Sequence, residues 1–572
     1  MRKCVCHQFA RLLVQYGVRR FYNLAGAVSS PLAAAMEKHP QLHRVPLINE
    51  ESAALAAAAE SRLTGRPAVV LSSGRSGSIR LLNGILEADA SHAPILGLIS
   101  RHSRSAISGK ITPAGKSLSG ACAHNTTVTQ AKQACAQLRE AFSFAHSKKR
   151  AALLQLPEDI ALQTTETPQQ TAGVILHDAA PSKPSRQGLE HMAALPNKSQ
   201  RTAFLCGGGC AQAREQLMTL AGVLHTPIAY TLRGKEWMEK ENPYAVGMSG
   251  LLGWGAAPRA ILSCDLLVLW GTQFPYRDFL PTHGNIIQVD SDTSAIGQHL
   301  TPALGIGGDC RSVAEQLLPL LKRDRDDTFL TSMQIEHARA QSKIMQCIRC
   351  VDEESALRPE LVTRLISDQA EPDAILVADT GTPLLWGARY LQLRSNQRFI
   401  GSFTLGAQGN ALPMAIGAKA TYPTRQVIAL CSPRGLLMRL GELAAAVQHG
   451  LPIKIMVYHR ALPCNEVLDA TAKAHDHPEH QHTDFCALAK SMGLAAISLT
   501  QPTDALRTIK NWLQEPQPTL LETIVDRHAL PLPPDMDLLK AQGYCAKLRK
   551  HSIQGEFDHL KQLLFGNRRY FR

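Results

Sequence analysis

Three turns of the sequence carry residues that could do chemistry. Asn49-Glu50-Glu51 precedes an alanine-rich stretch, where the acids could transfer a proton or simply favour the positive end of a helix. Gly406-Ala407-Gln408-Gly409 precedes another apolar stretch, and such a turn either binds an anion through backbone N–H groups or allows close packing. Gly207-Gly208-Gly209 resembles a phosphate-binding turn but lacks the full dinucleotide spacing. The residues alone leave these alternatives open.

Cysteine and histidine clusters give a weaker indication of metal binding. The chain has 14 cysteines, and Cys347 and Cys350 form a C-x-x-C pair without a second pair at zinc-ribbon spacing. The segment His475–His482 is rich in imidazoles, but Pro478 in its middle opposes a fixed ligand geometry. We therefore predict reduced thiols and a solvated histidine loop.

Apolar runs that are typical of buried strands alternate with amphipathic stretches that are typical of helices. This alternation predicts an α/β protein with doubly wound parallel sheets. The predicted strands are Pro67–Ser72, Ile95–Ile99, Ala151–Leu156, Thr202–Leu205, Leu266–Trp270, Ile286–Val289, Ala374–Val377, Val427–Leu430, Ile453–Val457 and Thr519–Thr523.

Two segments divide the chain into three such units. Thr164–Gln187 is rich in Pro, Thr and Ser, and Lys322–Glu354 is charged and partly helical in pattern. We predict a first unit over residues 1–182, a middle unit over 183–334, a third unit over 335–530 and a C-terminal tail over 531–572.

Composition excludes several classes of protein. The chain has 572 residues, of which 45% are hydrophobic and 19% charged, so a disordered chain and a small disulfide-stapled scaffold are excluded. No run approaches the length of a membrane-spanning helix, and Phe9, Leu12, Leu13 and Tyr16 predict a first surface helix rather than a signal peptide. The net charge of +13 favours an anionic partner.

Four runs in the middle unit resemble a known family, the thiamine diphosphate (ThDP)-dependent 2-oxo acid decarboxylases and oxidases. Within it they are most similar to the ubiquinone-dependent pyruvate dehydrogenases, which are flavoproteins, and the similarity extends along the whole chain. The runs are Leu232-Arg233-Gly234-Lys235-Glu236, Glu241-Asn242-Pro243-Tyr244, Val246-Gly247-Met248-Ser249-Gly250-Leu251-Leu252-Gly253 and Gly271-Thr272-Gln273-Phe274-Pro275-Tyr276-Arg277.

The resemblance implies an FAD site in the middle unit. It implies a pyrimidine-binding first unit, a diphosphate-binding third unit, and the oxidation of pyruvate to acetate and CO2 with reduction of quinone. Asp290 and Asp292 lie just past the predicted strand Ile286–Val289, where ribose or adenine contacts are common. The residues implied to approach FAD are Gly250, Leu251, Leu252, Gly253, Phe274, Pro275, Tyr276, Arg277, Asp278, Asp292 and His92.

Glu50 corresponds by resemblance to the catalytic glutamate of the family. That residue protonates the aminopyrimidine of ThDP and promotes carbanion formation on the thiazolium ring. A buried carboxylic acid beside a ring nitrogen suits such a proton transfer.

The third unit departs from the family at the Mg²⁺ ligands. The family has Gly-Asp-Gly and then Asn-Asn, where this chain has Ser432-Pro433-Arg434 and His459-Arg460. Neither proline nor arginine supplies the hard oxygen ligand that Mg²⁺ requires. We therefore predict no metal site, because Pro433 and Arg460 replace the family ligands.

Other cofactor-facing positions differ as well. The first-unit turn has become Gly74-Arg75-Ser76-Gly77, Thr112-Pro113 replaces an aromatic–Gln pair near the substrate, and Gln408 replaces the hydrophobic residue that bends ThDP. We interpret Gly406, Ala407, Gln408, Ser432, Arg434 and Arg460 as an eroded diphosphate site.

These observations predict a flavin-binding protein on a pyruvate:quinone oxidoreductase scaffold, with FAD bound, ThDP and Mg²⁺ doubtful, and catalysis impaired. One alternative is a non-catalytic binding or regulatory paralogue. Another is a metal-free site in which Arg434 and Arg460 bind a phosphate ligand. The resemblance also implies a homo-oligomer, specifically a tetramer, in the cytoplasm and peripheral on the inner face of the membrane, and we expect no nucleic acid partner.

The C-terminal tail has the pattern of a membrane-surface helix. Phe557, Leu560 and Leu564 share one helical face, and Arg568-Arg569-Tyr570-Phe571-Arg572 adds cationic and aromatic groups. The alternative is an amphipathic helix docked on its own domain. Either helix is short, so attachment to lipid would be weak and assisted by charge.

We predict that the full chain binds anionic vesicles and that a chain ending at Lys550 does not, because the apolar face and the terminal arginines act together on anionic headgroups. Co-sedimentation with phosphatidylserine vesicles measures this difference. Equal pelleting of the two chains would contradict a lipid-binding tail.

Overall fold

The structure is a computed structural model that describes residues 3–24, 30–101, 120, 122–165, 184–322, 326–349, 356–459, 483–526 and 529. Thr112, Pro113, Arg460, His475–His482 and the tail over 531–572 lie outside the described residues. None of the helices within the described ranges has the length and apolar character needed to cross a membrane.

The first unit contains a six-stranded parallel sheet in the order β3-β2-β4-β5-β7-β6, and a separate antiparallel pair of β1 and β8. Its strands are β1 (Lys3–Cys4), β2 (Arg20–Leu24), β3 (His43–Leu47), β4 (Ala68–Ser73), β5 (Ile95–Arg101), β6 (His124–Thr127), β7 (Ala151–Pro157) and β8 (Thr164–Thr165). Its helices are α1 (Val5–Gln15), α2 (Pro31–Glu37), α3 (Glu50–Thr64), α4 (Gly74–Ala90), α5 (Ala131–Lys148) and α6 (Glu158–Ala161).

The middle unit contains a seven-stranded sheet in the order β12-β11-β10-β9-β13-β14-β15, parallel except for the edge pair of β11 and β12. Its strands are β9 (Thr202–Cys206), β10 (Ile228–Tyr230), β11 (Ala245–Met248), β12 (Trp254–Gly255), β13 (Leu266–Trp270), β14 (Asn285–Asp290) and β15 (Leu304–Gly307). Its helices are α7 (Arg186–Ala194), α8 (Arg214–Leu224), α9 (Leu232–Met238), α10 (Ala257–Ser263), α11 (Cys310–Leu317) and α12 (Thr328–Arg349).

The third unit contains a six-stranded parallel sheet in the order β17-β16-β18-β19-β21-β20, which is the strand order of the first unit repeated. Its strands are β16 (Ile375–Ala378), β17 (Arg398–Gly401), β18 (Val427–Cys431), β19 (Ile453–His459), β20 (Ala495–Leu499) and β21 (Thr519–Ile524). Its helices are α13 (Pro359–Gln369), α14 (Thr382–Tyr390), α15 (Ala411–Thr421), α16 (Pro433–Met438), α17 (Gly441–Gln448), α18 (Phe485–Ser491) and α19 (Ala505–Gln514).

Three parallel-sheet α/β units are therefore confirmed, and each of the ten predicted strands is present with ends shifted by at most a few residues. The predicted first surface helix is α1. The domain boundaries stay predictions. The one between residues 334 and 335 falls inside α12, where the His337 ring packs on Trp254 of β12, with ring centroids 5.1 Å apart.

Helix α3 holds the first and third units together. Every side chain from Ala53 to Ala59 is buried, so this helix is apolar all round, as expected for a helix enclosed by protein. A Cβ at Gly417 of α15 would lie 2.1 Å from the Ala56 carbonyl oxygen, and one at Gly84 of α4 would lie 2.4 Å from the Ala54 Cβ. The alanine run therefore serves close packing on two sides as well as helix formation.

We predict that Gly417→Ala destabilises the protein, because the new methyl group meets backbone atoms of α3 that cannot move alone. Overpacking of this kind costs about 1–3 kcal/mol, more than the gain in helix propensity. Gly120→Ala is the control, since a Cβ there has no atom of the described residues within 4 Å. Thermal unfolding should show a lower midpoint for the first variant alone. Equal midpoints would contradict tight packing at Gly417.

Candidate functional site

Glu50 lies at the first position of α3, where Asn49 caps the helix by accepting a hydrogen bond of 2.8 Å from the Ser52 N–H. The Glu50 side chain is 4% exposed, and its Oε2 atom has no hydrogen-bond partner among the described residues. A buried carboxylate oxygen without a partner is costly, so such an atom is a candidate for contact with a ligand.

Gly77 and Ser72 form a small cradle around Glu50. A Cβ at Gly77 would lie 2.5 Å from Glu50 Oε1 and 2.8 Å from Ser72 Oγ. The Ser72 hydroxyl is buried and also has no partner among the described residues. Gly77, at the start of α4, thus supplies a glycine where Glu50 leaves no space for a Cβ.

The third unit fixes the start of α3. The Glu442 carboxylate of α17 accepts hydrogen bonds from the Ile48 N–H, at 3.1 Å to each oxygen, and Arg439 forms an ion pair with Glu51. Burial raises the pKa of Glu442, partly offset by the hydrogen bonds that it accepts. The position of Glu50 therefore depends on contacts between two units.

Asp379 is a site residue that the sequence analysis missed. It follows β16 and is 1% exposed, and its Oδ1 atom accepts hydrogen bonds from the N–H groups of Gly409 at 2.8 Å and Asn410 at 3.2 Å. Its Oδ2 atom accepts a hydrogen bond of 2.6 Å from Ser432 Oγ, at the end of the adjacent strand β18. Burial raises the pKa of Asp379 against the effect of these hydrogen bonds. An acid directly after a predicted strand was the available signal.

The glycine-rich turn of the third unit uses its amides internally. The Ala407 N–H donates to Ser402 Oγ at 2.7 Å, while Asp379 accepts hydrogen bonds from the amides of Gly409 and Asn410. Gly406 and Gln408 are exposed and Ala407 is buried. These contacts favour the packing alternative over anion binding by those three amides.

The end of β18 offers little to a metal ion. Ser432 caps α16 by accepting a hydrogen bond of 3.0 Å from the Gly435 N–H and also binds Asp379, and Pro433 is the first helical residue. A Cβ at Gly435 would lie 1.8 Å from Asp379 Oδ2, so the carboxylate packs directly under this helix. Arg434 is exposed.

His459, at the end of β19, forms a buried pair with Glu522. Its Nδ1 atom lies 2.7 Å from Glu522 Oε1, and its ring meets the Phe485 ring edge-on with centroids 5.3 Å apart. Burial opposes ionisation of Glu522, but the hydrogen bond with His459 holds its pKa below the usual value. These contacts fix His459 within the third unit.

Two predicted flavin-contacting segments come together in the middle unit. Gly250 has φ +94°, and a Cβ there would lie 3.5 Å from the Phe274 ring. The Phe274 and Tyr276 rings meet edge-on, with centroids 5.6 Å apart. Phe274 itself is buried, whereas Leu251 is 57% and Tyr276 43% exposed. Pro275, Arg277 and Asp278 are also exposed, and Leu252 and Gly253 are partly buried. This surface presents apolar and aromatic groups that a ring system could cover.

His92 of the first unit and Asp292 of the middle unit are two further residues predicted to approach FAD. The pKa of His92 is lowered because neighbouring protein displaces water and because Arg233 and Arg150 lie near, and Asp292 acts in the opposite direction. The pKa of Asp292 is lowered, first by the Ser294 hydroxyl and further by His92. The structure therefore brings these two predicted FAD residues within electrostatic range of each other.

Gly207-Gly208-Gly209 packs against the loop after β13. The Gly207 N–H donates to the Trp270 carbonyl at 2.8 Å, and the Gly209 N–H donates to the Gly271 carbonyl at 3.1 Å. A Cβ at Gly209 would lie 2.8 Å from the Gly271 Cα atom. These two amides are engaged within the unit, which does not support the phosphate-turn interpretation.

Glu87 is a second residue that the sequence analysis missed, and it lies where the three units meet. Its side chain is fully buried in α4, and its Oε2 atom accepts a hydrogen bond from Ser402 of the third unit. Burial raises the pKa of Glu87 to about 7, against the effects of Ser402, Arg62 and the middle unit's Arg233. The Glu87 Oε1 atom has no hydrogen-bond partner among the described residues. A single acidic residue within a helical pattern does not indicate a functional site, so no sequence pattern pointed to Glu87.

The middle and third units are joined by buried charges. Lys235 of α9 is fully buried and donates to the Leu391 carbonyl at 2.8 Å and to Glu239 at 2.5 Å, and Glu236 pairs with Arg398. The run Leu232–Glu236, which carries part of the family resemblance, thus makes contacts between units.

Comparisons with known proteins agree with this three-unit architecture. Residues 4–127 match the model of the thiamine pyrophosphate enzyme N-terminal TPP binding domain, residues 189–317 that of the central domain, and residues 379–523 that of the C-terminal TPP binding domain.

Among full-length relatives, the chain is 29% identical to a putative thiamine pyrophosphate-containing protein, YdaP, of Bacillus subtilis over 98% of each chain. It is 26% identical to acetolactate synthase 2, chloroplastic, of Zea mays over 88% of this chain and 84% of the relative. It is 33% identical to an uncharacterized 42.6 kDa protein in the isoamylase 3′ region of Pseudomonas amyloderamosa, over 57% of this chain and 83% of that protein.

We predict that Glu87→Gln changes the pH dependence of stability. Between about pH 4.5 and pH 7 the wild-type carboxyl is largely protonated in the folded chain, where its pKa is about 7, and largely ionised in the unfolded chain, where its pKa is 4.5. Wild-type stability should therefore fall relative to the variant across this interval, by about 3 kcal/mol in total. Unfolding of both proteins at pH 5 and pH 8 measures the difference. Glu190→Gln, at an exposed helical position, is the control, and parallel pH profiles for wild type and Glu87→Gln would contradict the prediction.

Proposed function

The chain belongs to the thiamine pyrophosphate enzyme superfamily, and we propose that it is a flavin-binding member whose site for Mg²⁺ and the ThDP diphosphate has been lost. It retains the scaffold of a pyruvate:quinone oxidoreductase without completing that reaction. As a non-catalytic protein it would bind flavin and act by binding a partner protein.

The observation that carries this proposal is the end of β18. Mg²⁺ is held by hard oxygen ligands in near-octahedral geometry. Pro433 has no side-chain oxygen, and the oxygens of Ser432 and Asp379 bind each other under α16. Arg434, two residues after Ser432, is cationic and exposed, and Arg460, outside the described residues, replaces the second ligand that the resemblance implies. The residues present do not fit a Mg²⁺–diphosphate group, and the proposed function includes no reaction on ThDP.

The end of the expected ThDP site that would contact the aminopyrimidine ring keeps its acidic residue, Glu50. The unpartnered Oε2 atom of Glu50 and the cradle at Gly77 and Ser72 fit a ring nitrogen that exchanges a proton with a carboxyl group. Retention of this end without the metal-binding end is consistent with descent from an active enzyme. Glu50 alone does not replace a clamp for the diphosphate.

The flavin proposal rests on the middle unit. Gly250 lets the backbone turn beneath the aromatic rings, Phe274 and Tyr276 offer ring surface, and His92 and Asp292 supply polar groups from two units. FAD, when bound, supplies two-electron redox chemistry. The residues of this chain would hold the nucleotide and exclude water from one face of its ring system.

A second candidate is a metal-free site for a phosphate ligand at Arg434 and Arg460. The exposure of Arg434 near the start of α16 favours it, because arginine binds phosphate oxygens through two parallel hydrogen bonds. The buried Asp379 carboxylate beneath that helix opposes it when ionised. A homo-oligomer, quinone and an anionic membrane surface remain proposals from the resemblance.

We predict that the purified protein contains FAD and shows no Mg²⁺-dependent binding of ThDP. Absorbance and mass spectrometry measure bound flavin, and calorimetric titration with ThDP in the presence and absence of Mg²⁺ measures the second ligand. Gly250→Val should lower the flavin content, because a branched side chain is strained at φ +94° and fills the space beside Phe274. Gly65→Val is the control for backbone strain alone, because Gly65 has φ +71° and a Cβ there would have no atom of the described part of the chain within 4 Å.

Colourless protein that takes up no added FAD would contradict the flavin proposal. Anaerobic bleaching of the flavin by pyruvate, dependent on Mg²⁺ and ThDP, would contradict the loss of the metal site. If ThDP binds without metal and the double variant Arg434→Ala, Arg460→Ala abolishes that binding, the second candidate replaces the first.

A further inference from the structure

Three soft ligand atoms lie close together at the start of the first unit. Cys4 Sγ is 3.1 Å from Cys6 Sγ and 2.6 Å from His7 Nδ1, and Cys6 Sγ is 3.9 Å from the same nitrogen. All three atoms lie within 4.8 Å of one another. The group is distant in sequence from every residue assigned above to flavin or ThDP, and it contains two thiols and an imidazole, which are the preferred ligands of zinc.

The local fold holds these side chains on one side of a helix start. Cys4 is the N-cap residue of α1 with extended backbone angles, and it pairs with Thr164 in the antiparallel β1–β8 ladder. The Val5 N–H donates to the Gln163 carbonyl at 3.1 Å. Cys6 and His7 then lie in the first turn of α1. Backbone pairing on one side and the helix on the other thus restrict how far the three ligands can separate.

The cluster is enclosed on one side and open on the other. Cys6 is buried while His7 is exposed, so one thiol is enclosed and the site keeps an open side. Cysteine binds zinc as the thiolate, so binding of the ion would release the thiol protons.

We propose that Cys4, Cys6 and His7 bind a soft d¹⁰ divalent cation of the zinc class, with water in the fourth position. Zinc lies about 2.3 Å from thiolate sulfur and about 2.0–2.1 Å from imidazole nitrogen, so the ligand atoms need only a small outward rotation. The exposed His7 ring is free to make most of that movement. The bound ion would join the end of β1 to the first turn of α1.

The test is a zinc titration of the reduced full-length protein. Wild type should bind one equivalent of Zn²⁺ more than the double variant Cys4→Ser, Cys6→Ser, with binding lost also in His7→Ala. The difference is the readout, because Cys347, Cys350 and His475–His482 could bind zinc independently. Cys264→Ser is the matched control, since that buried thiol donates to the Ile261 carbonyl and a hydroxyl can do the same. With Cd²⁺, wild type and the control should show a stronger thiolate charge-transfer band than the double variant.

His7→Ala keeps the test valid if the double variant does not fold, because His7 is exposed. Equal zinc stoichiometry in wild type and His7→Ala, together with equal Cd²⁺ absorbance, would overturn the proposal. A Cys4–Cys6 disulfide in the purified protein, with no zinc bound after reduction, would also overturn it and assign the pair to thiol oxidation instead.

Discussion

The close approach of α3 to α15 is the contact on which the rest of the site depends. Gly417 leaves no space for a side chain against the Ala56 carbonyl, and the alanines of α3 let its backbone lie between two neighbouring helices. This packing joins the first and third units and fixes the direction in which α3 begins. Glu50 stands at that beginning, so its burial is a consequence of contacts made along the whole helix. A larger residue in place of Gly417 or of an α3 alanine would shift Glu50 relative to Gly77 and Ser72.

Charged side chains also join the units, in addition to the close packing of small residues. Glu442 and Arg439 of the third unit hold the segment around Ile48 and Glu51. Lys235 ties the middle unit to the third, where water is excluded and an unpaired charge would be costly. Glu87 differs, because burial raises its pKa to about 7 and one of its oxygens has no partner among the described residues. The meeting point of the three units therefore carries a carboxyl group that titrates near neutral pH.

The ends of β16 and β18 show how polar groups at a reversal of strand order can be satisfied within the protein. At the point where strand order reverses, Asp379 follows β16 and Ser432 follows β18, which is where parallel sheets commonly bind ligands. Here the Asp379 carboxylate accepts hydrogen bonds from amides of the glycine-rich turn and from the Ser432 hydroxyl at the start of α16. Pro433 adds neither a side-chain ligand nor an N–H group. The middle unit shows the same outcome at its own reversal, where Gly207 and Gly209 pack on the loop after β13.

The sequence by itself determined where many buried strands lie and that Pro433 offers no side-chain ligand to a metal ion. Apolar runs such as Val427–Leu430 predicted strands because burial on both faces of a parallel sheet requires continuous apolar residues, and Pro433 excluded a side-chain ligand whatever the fold. Short or mixed strands such as Arg20–Leu24 were missed, because their polar residues hide the pattern. Only the tertiary structure decided that Glu87 is buried and that Asp379 fills the glycine-rich turn. Both facts depend on contacts between residues distant in sequence, such as Glu87 with Ser402, and no local pattern records which helix faces will meet.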